Sequence, residues 1–142
     1  MTSEPAVDAA LRSLRHRDRS IAEVRERLAA DGYAPEELDA AVETLVRTGL
    51  LDDARFAALR ARSLSDRGAG DTRIHHELRR AGVPAELVDD ALASLEHESE
   101  RARSVVARRG SGAKTARYLH GKGFSEEVVV GAIAEAHDDE LG

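Results

Sequence analysis

Cysteine and tryptophan are both missing from the 142 residues of this chain. Without cysteine there can be no disulfide and no thiolate metal site, and a reducing cytosol suits such a composition. Aromatic rings are nearly missing too, since Tyr33, Phe56, Tyr118 and Phe124 are all that occur. A core must therefore be assembled from Leu, Val, Ile and Ala, which favours closely spaced helical layers over a β-sandwich. No apolar run approaches the roughly 20 residues that span a bilayer, and the opening MTSEPAVDAA lacks the basic-then-apolar order of a secretory signal. The expectation is a soluble, cytoplasmic protein. Lysine is scarce as well: Lys114 and Lys122 stand against 19 arginines among 21 basic residues, in a chain of net charge −6. With Ala and Gly so abundant, genome composition accounts for that ratio. It is no phosphate signature by itself.

What is present is helix, repeated. Apolar residues recur at three- and four-residue spacing between clear stops, and strand-like alternation is absent. Gly32, Gly49, Gly82 and Gly123 each follow a helical run, where a left-handed residue is wanted. Pro35 and Pro84 open new runs, and Ser20 with Glu23 reads as a capping box. With Gly32, Gly82 and Gly123 as anchors, the positions at −4 are Leu28, Leu78 and Leu119, and those at +1 are Tyr33, Val83 and Phe124. Leu38, Val88 and Val129 follow at +6, then Ala41, Ala91 and Ala132 at +9. Val42, Leu92 and Ile133 stand at +10, and Leu45, Leu95 and Ala136 at +13. The anchors are 50 and 41 residues apart, a spacing typical of helical arrays. The predicted fold is all-α: three tandem three-helix repeats over residues 1–50, 51–97 and 98–137, stacked into an elongated, curved or rod-like array. An acidic tail, 138–142, should fray. In each repeat a helix A leads to a helix B ending at the anchor glycine, and a helix C follows. The B helices are expected at about Ser20–Asp31, Asp71–Ala81 and Ala113–Lys122, and the C helices at about Pro35–Thr48, Pro84–His97 and Ser125–His137.

Charge is unevenly distributed on this frame. Helix C is acidic in every repeat: Glu36, Glu37, Asp39 and Glu43, then Glu86, Asp89 and Asp90, then Glu126, Glu127 and Glu135. Helices A and B carry nearly all the basic residues. Acids near a helix start suit the macrodipole, and some arginines should pair with the acidic layer. Repetition nevertheless predicts a basic strip, a surface for a polyanion or an acidic protein groove.

Catalytic and metal-binding constellations are not evident. Gly68–Ala–Gly70 and Gly110–Ser–Gly112 lack the following Lys-Ser/Thr of a phosphate-cradling loop. Neighbouring His75 and His76 diverge on a helix by about 100° and make a poor metal pair. Asp52–Asp53 reads as a helix N-cap ahead of ARFAALRAR rather than as a metal site.

Four segments in order resemble the RecX family. RDRSIAEVRERLAADGY is similar to its first repeat, a basic residue and serine ahead of a helix ending in Gly-aromatic. GLLDDARFAALRARS resembles its Gly-(apolar)-x-Asp-x-x-Phe-Ala junction, with Gly49, Asp52 or Asp53, Phe56 and Ala57 in those roles. RGAGDTRIHHELRRAGVPAELVDDAL resembles its second repeat through Gly70, Ile74, Glu77, Leu78 and Gly82. KTARYLHGKGFSEEVVVGAI looks like the third repeat, whose A-to-B connection is short here. The resemblance implies a non-enzymatic, cofactor-free modulator, expected as a monomer, that lies in the groove of the RecA–single-stranded-DNA filament and restrains filament extension, ATP hydrolysis and strand exchange in DNA repair and the SOS response. The expected RecA- and DNA-facing residues are Arg15, Arg17, Arg19, Arg25, Arg27, Arg62, Arg67, Arg73, Arg79, Arg80, Lys114 and Arg117. The rival reading is a stand-alone helical DNA-binding protein. It wants a basic helix after each anchor glycine, where this chain places acid.

Overall fold

A computed structural model describes residues 4–141, in which nine α-helices and no strands occur. They are α1 (Ala6–Leu14), α2 (Ile21–Ala30), α3 (Pro35–Arg47), α4 (Asp53–Asp66), α5 (Asp71–Arg80), α6 (Ala85–Ala93), α7 (Glu98–Arg109), α8 (Ala113–Gly121) and α9 (Glu126–Leu141). Packing groups them in threes, α1–α3, α4–α6 and α7–α9, each around its own aliphatic cluster. The apolar positions that recur around the anchor glycines account for much of these clusters. Leu28, Leu78, Leu119, Val88 and Val129 are fully or almost fully buried, and none of the recurring positions is exposed. Short helices of this kind gain their stability from such packing rather than from intrinsic propensity.

Local chemistry sets the helix ends. Gly32, Gly49, Gly82 and Gly123 have φ between +78° and +92°, the left-handed conformation that stops a helix at little cost to glycine. At the start of α2, Ser20 Oγ accepts from the Glu23 amide while the Glu23 carboxylate accepts from the Ser20 amide, a complete capping box. Asp52 caps α4 through the Arg55 amide.

Two ends differ from expectation. Helix α6 stops at Ala93 and does not reach His97, because the Ser94 hydroxyl donates to the Ala91 carbonyl and the Leu95 amide to Leu92 in a closing turn. Helix α9 continues to Leu141, beyond the expected end at His137. Its last turns pack on the α7–α8 connection, where Ser111 donates to Glu140 and its carbonyl lies 2.9 Å from His137 Nε2.

The three groups meet end to end through their B helices, in the reverse of chain order. The last turn of α8 abuts the start of α5, where Gly70 N donates to Lys122 O and Thr72 N to Gly123 O. The last turn of α5 abuts the start of α2, where Ser20 Oγ donates to Ala81 O. Each negative helix end thus faces the positive end of the next; between α8 and α5 orphan carbonyls and amides satisfy one another, and between α5 and α2 the serine hydroxyl satisfies the carbonyl.

Candidate basic face

Helices α2, α5 and α8 carry seven of the twelve expected binding residues along this string. Turning about 100° per residue from the buried Leu28, Leu78 and Leu119 puts Arg27, Arg73, Arg80 and Lys114 on one flank of their helices and Arg117 almost opposite the core. Arg25 and Arg79 fall on the other flank. Arg25 is held there by Asp39 of α3, at 2.7 Å, and Arg79 by the Val83 carbonyl, at 2.9 Å. Arg27 has only a long contact with Asp31, at 3.7 Å, and both groups are about half exposed.

The other five lie off the B helices. Arg15 and Arg17 are exposed in the connection from α1 to α2, and Arg17 pairs with Glu23 at 3.3 Å. Arg19 is half-buried and donates to the Ser13 carbonyl. Burial lowers the pKa of its guanidinium, and the neighbouring charges of Arg17 and Arg27 act in the same direction. Arg62 faces the end of α6 in a cleft it shares with Asp66, Glu96 and Arg101. Arg67, just past the end of α4, bonds to Ser63 in its last turn. All twelve except Arg19 are exposed. The expected pairing of the basic layer with acidic C helices is seen for Arg25–Asp39 and for Arg103–Glu135.

The structure brings Arg17 and Arg80 together with a third guanidinium that the expected set omits. Arg60 of α4 shares their cleft, of about 200 Å3, with Phe56, Ala81, Glu23 and Glu77. The spacing of Phe56 and Arg60, four residues apart on one helix face, was a usable signal in the sequence. Which helix they would meet was not. Two carboxylates also act across the joints between units. Asp53, first residue of α4, accepts from the Ile21 amide at 2.9 Å, and Glu98, first residue of α7, accepts from the Asp71 amide at 2.6 Å. Each thus satisfies an N-terminal donor of the preceding unit's B helix. Among the described residues no cluster of histidines and carboxylates is arranged to hold a metal, and no helix is long and apolar enough to cross a membrane.

Comparison with known proteins agrees with this architecture. The family model for the first three-helix domain of RecX matches residues 6–45, and that for the second matches residues 52–92. A regulatory protein RecX from Halorhodospira halophila is 38% identical, across 99% of this chain and 94% of its own. Another from Chromohalobacter salexigens is 36% identical, across 93% of each. The crystal structure of RecX from Lactobacillus salivarius superimposes with a TM-score of 0.80 at 21% identity, covering 93% of this chain and 94% of that one. Near-complete coverage by named relatives, on the same succession of three-helix units, places the chain in the RecX family.

Proposed function

We propose that this chain is a non-enzymatic cytoplasmic regulator that binds the RecA–single-stranded-DNA filament and restrains its extension, ATP hydrolysis and strand exchange. Family membership supplies the regulatory role. The observation that supports the binding mode is the end-to-end string of B helices, on which Arg73, Arg80, Lys114 and Arg117 are all exposed in an otherwise anionic molecule. A helical filament presents its groove as a repeating surface of recombinase subunits and DNA backbone. An array of similar units can meet that surface several times, with each contact raising the effective concentration for the next. Inhibition then follows from differential affinity: whatever binds one filament state more tightly raises its population at the expense of states that extend or cycle.

Titration of the purified protein into a RecA–single-stranded-DNA ATPase assay is expected to lower the hydrolysis rate in a saturable manner. One exposed arginine contributes about 1 kcal/mol or less, so single substitutions should change little. The triple reversal R73E/R80E/R117E should abolish inhibition while leaving the circular dichroism spectrum unchanged. Full inhibition by that variant at the wild-type dose would refute the basic-face assignment.

A further inference from the structure

The cleft of Arg17, Arg60 and Arg80 lies across the joint of the first two units, with Arg17 on the first and the other two on the second. Of its two carboxylates, Glu23 is fully engaged: one oxygen takes the Ser20 amide at 3.0 Å and the other takes Arg17 at 3.3 Å. Arg60 and Arg80 enter none of the ion pairs among the described residues, and only Glu77 remains to offset them. Three guanidinium groups against two carboxylates leave one positive charge, which a single phosphodiester group would neutralise. Phe56 makes one wall apolar and strengthens the electrostatics inside. The planar fork of arginine suits phosphate oxygens.

The cleft at the second joint, of about 170 Å3, sets Arg101 and Arg108 against Asp66 and Glu96 and so carries no spare positive charge. Counted from the same landmarks (B-helix N-cap, A-helix start, anchor glycine), the matching positions are Arg67, Val105 and Gly121. The cleft is therefore a property of one joint and not of the repeat. That joint is also the more lightly held one: Ser20–Ala81, Ile21–Asp53 and the Arg55 bonds to the Gly49 and Leu50 carbonyls cross it, and among the described residues no amide of one B helix donates to a carbonyl of the other. We propose that the cleft binds a phosphate group and that occupation fixes the first unit against the second. A ligand touching both units favours the arrangement in which it can touch both. The inference rests on the filament-binding reading for the source of that phosphate, the backbone of the single strand.

Because the chain has no cysteine, introduced pairs can be spin-labelled uniquely in it. Labels at E36C and D89C report the first joint, and labels at D89C and E127C report the second. A short oligothymidylate should narrow the distance distribution across the first joint and leave the second unchanged. The same oligomer with a neutral methylphosphonate backbone should do nothing. R60Q/R80Q should raise the required concentration about tenfold or more, whereas R60K should largely retain the response. Narrowing by inorganic phosphate alone at millimolar concentration would support the site and assign it to the free ion. No narrowing by either probe, an equal effect of the neutral oligomer, an unchanged response in R60Q/R80Q, or narrowing at both joints would overturn the proposal. RecA is absent from this experiment, so its failure leaves the filament reading standing, and failure of the ATPase titration leaves the cleft standing.

Discussion

Between the first and second units, α2 satisfies its own N-terminal donors with the Ser20–Glu23 box and asks its neighbour for one carboxylate, Asp53. Between the second and third units, α5 has only Gly70 at the capping position and draws on its neighbour throughout. Lys122 and Gly123 supply carbonyls, Glu98 a carboxylate, and Arg101 reaches both Asp71 and the Ala69 carbonyl. The two residues chosen for one structural position therefore set two strengths of joint. A serine brings its own acceptor and holds the neighbour's backbone at side-chain distance. Glycine brings none, and the missing Cβ lets that backbone close in. The outcome is one tightly joined pair of units and one unit attached more lightly.

Glycine substitutions test this difference most severely. A Cβ at Gly70 would lie 2.4 Å from the Phe124 amide nitrogen and 2.5 Å from Gly123 atoms, all of them backbone that cannot swing aside. G70A should cost about 3 kcal/mol or more in urea denaturation. G82A, at the lighter joint, meets the Ala22 methyl at 2.4 Å and a φ of +85°, and an intermediate loss is expected. Gly32, the same anchor at the open end of the string, has nothing within 4 Å, and G32A should lose only about 1 kcal/mol from its positive φ. Equal losses at all three positions would erase the distinction between the joints.

Polar partners give the next largest contrast. The Arg101 side chain is only 11% exposed, lies 5.7 Å from the Phe124 ring centroid, and holds Asp71 at 2.9 Å. R101M keeps the stem but leaves a carboxylate and a carbonyl without their donor, and a loss of about 2–3 kcal/mol is expected. D53A removes one acceptor from one amide and should cost about 1 kcal/mol. Native-state hydrogen exchange locates each effect. R101M should expose amides of α5 and α8, and D53A those at the start of α2. A larger loss for D53A would reverse the ranking of the joints.

Much of this fold was legible in the residues because its determinants are local. Leu28, Leu78 and Leu119 announce a buried helix face four residues before a glycine, and Ser20 with Glu23 announces a helix start, all within one turn of chain. The joints were illegible for the opposite reason. Asp53 was read as part of a cap for its own helix, a role that Asp52 fills, while its own carboxylate serves Ile21, 32 residues earlier. Arg60 was passed over because its importance depends on Arg17 and Arg80, which only the docking of units brings near. Residue patterns report periodicity within a helix, whereas a site built between units depends on an angle that no single helix encodes. The same holds for the basic strip: helical phase separates Arg73 and Arg80 from Arg79, but only the position of the Val83 carbonyl shows where Arg79 is tied.

The smallest expected effect concerns the outer edge of the lightly attached unit. Glu4 accepts from Arg12 at 2.7 Å, and this hydrogen bond holds its carboxyl below the ordinary value of 4.5, while its backbone carbonyl accepts from the Tyr33 hydroxyl. A carboxyl with a lower pKa folded than unfolded adds stability that is complete above its unfolded value and disappears as pH falls through its folded one. Acidification from neutral pH should therefore leave α1 unaffected until pH approaches 4.5, then increase its amide exchange below that point. Because the pair is solvent-exposed and screened, the increase should be slight and should shrink further in high salt. E4Q should exchange at the acid-limited rate across the whole range, with no inflection of its own. An inflection that survived in E4Q would assign the acid sensitivity of α1 to another carboxyl and detach Glu4 from the stability of this unit.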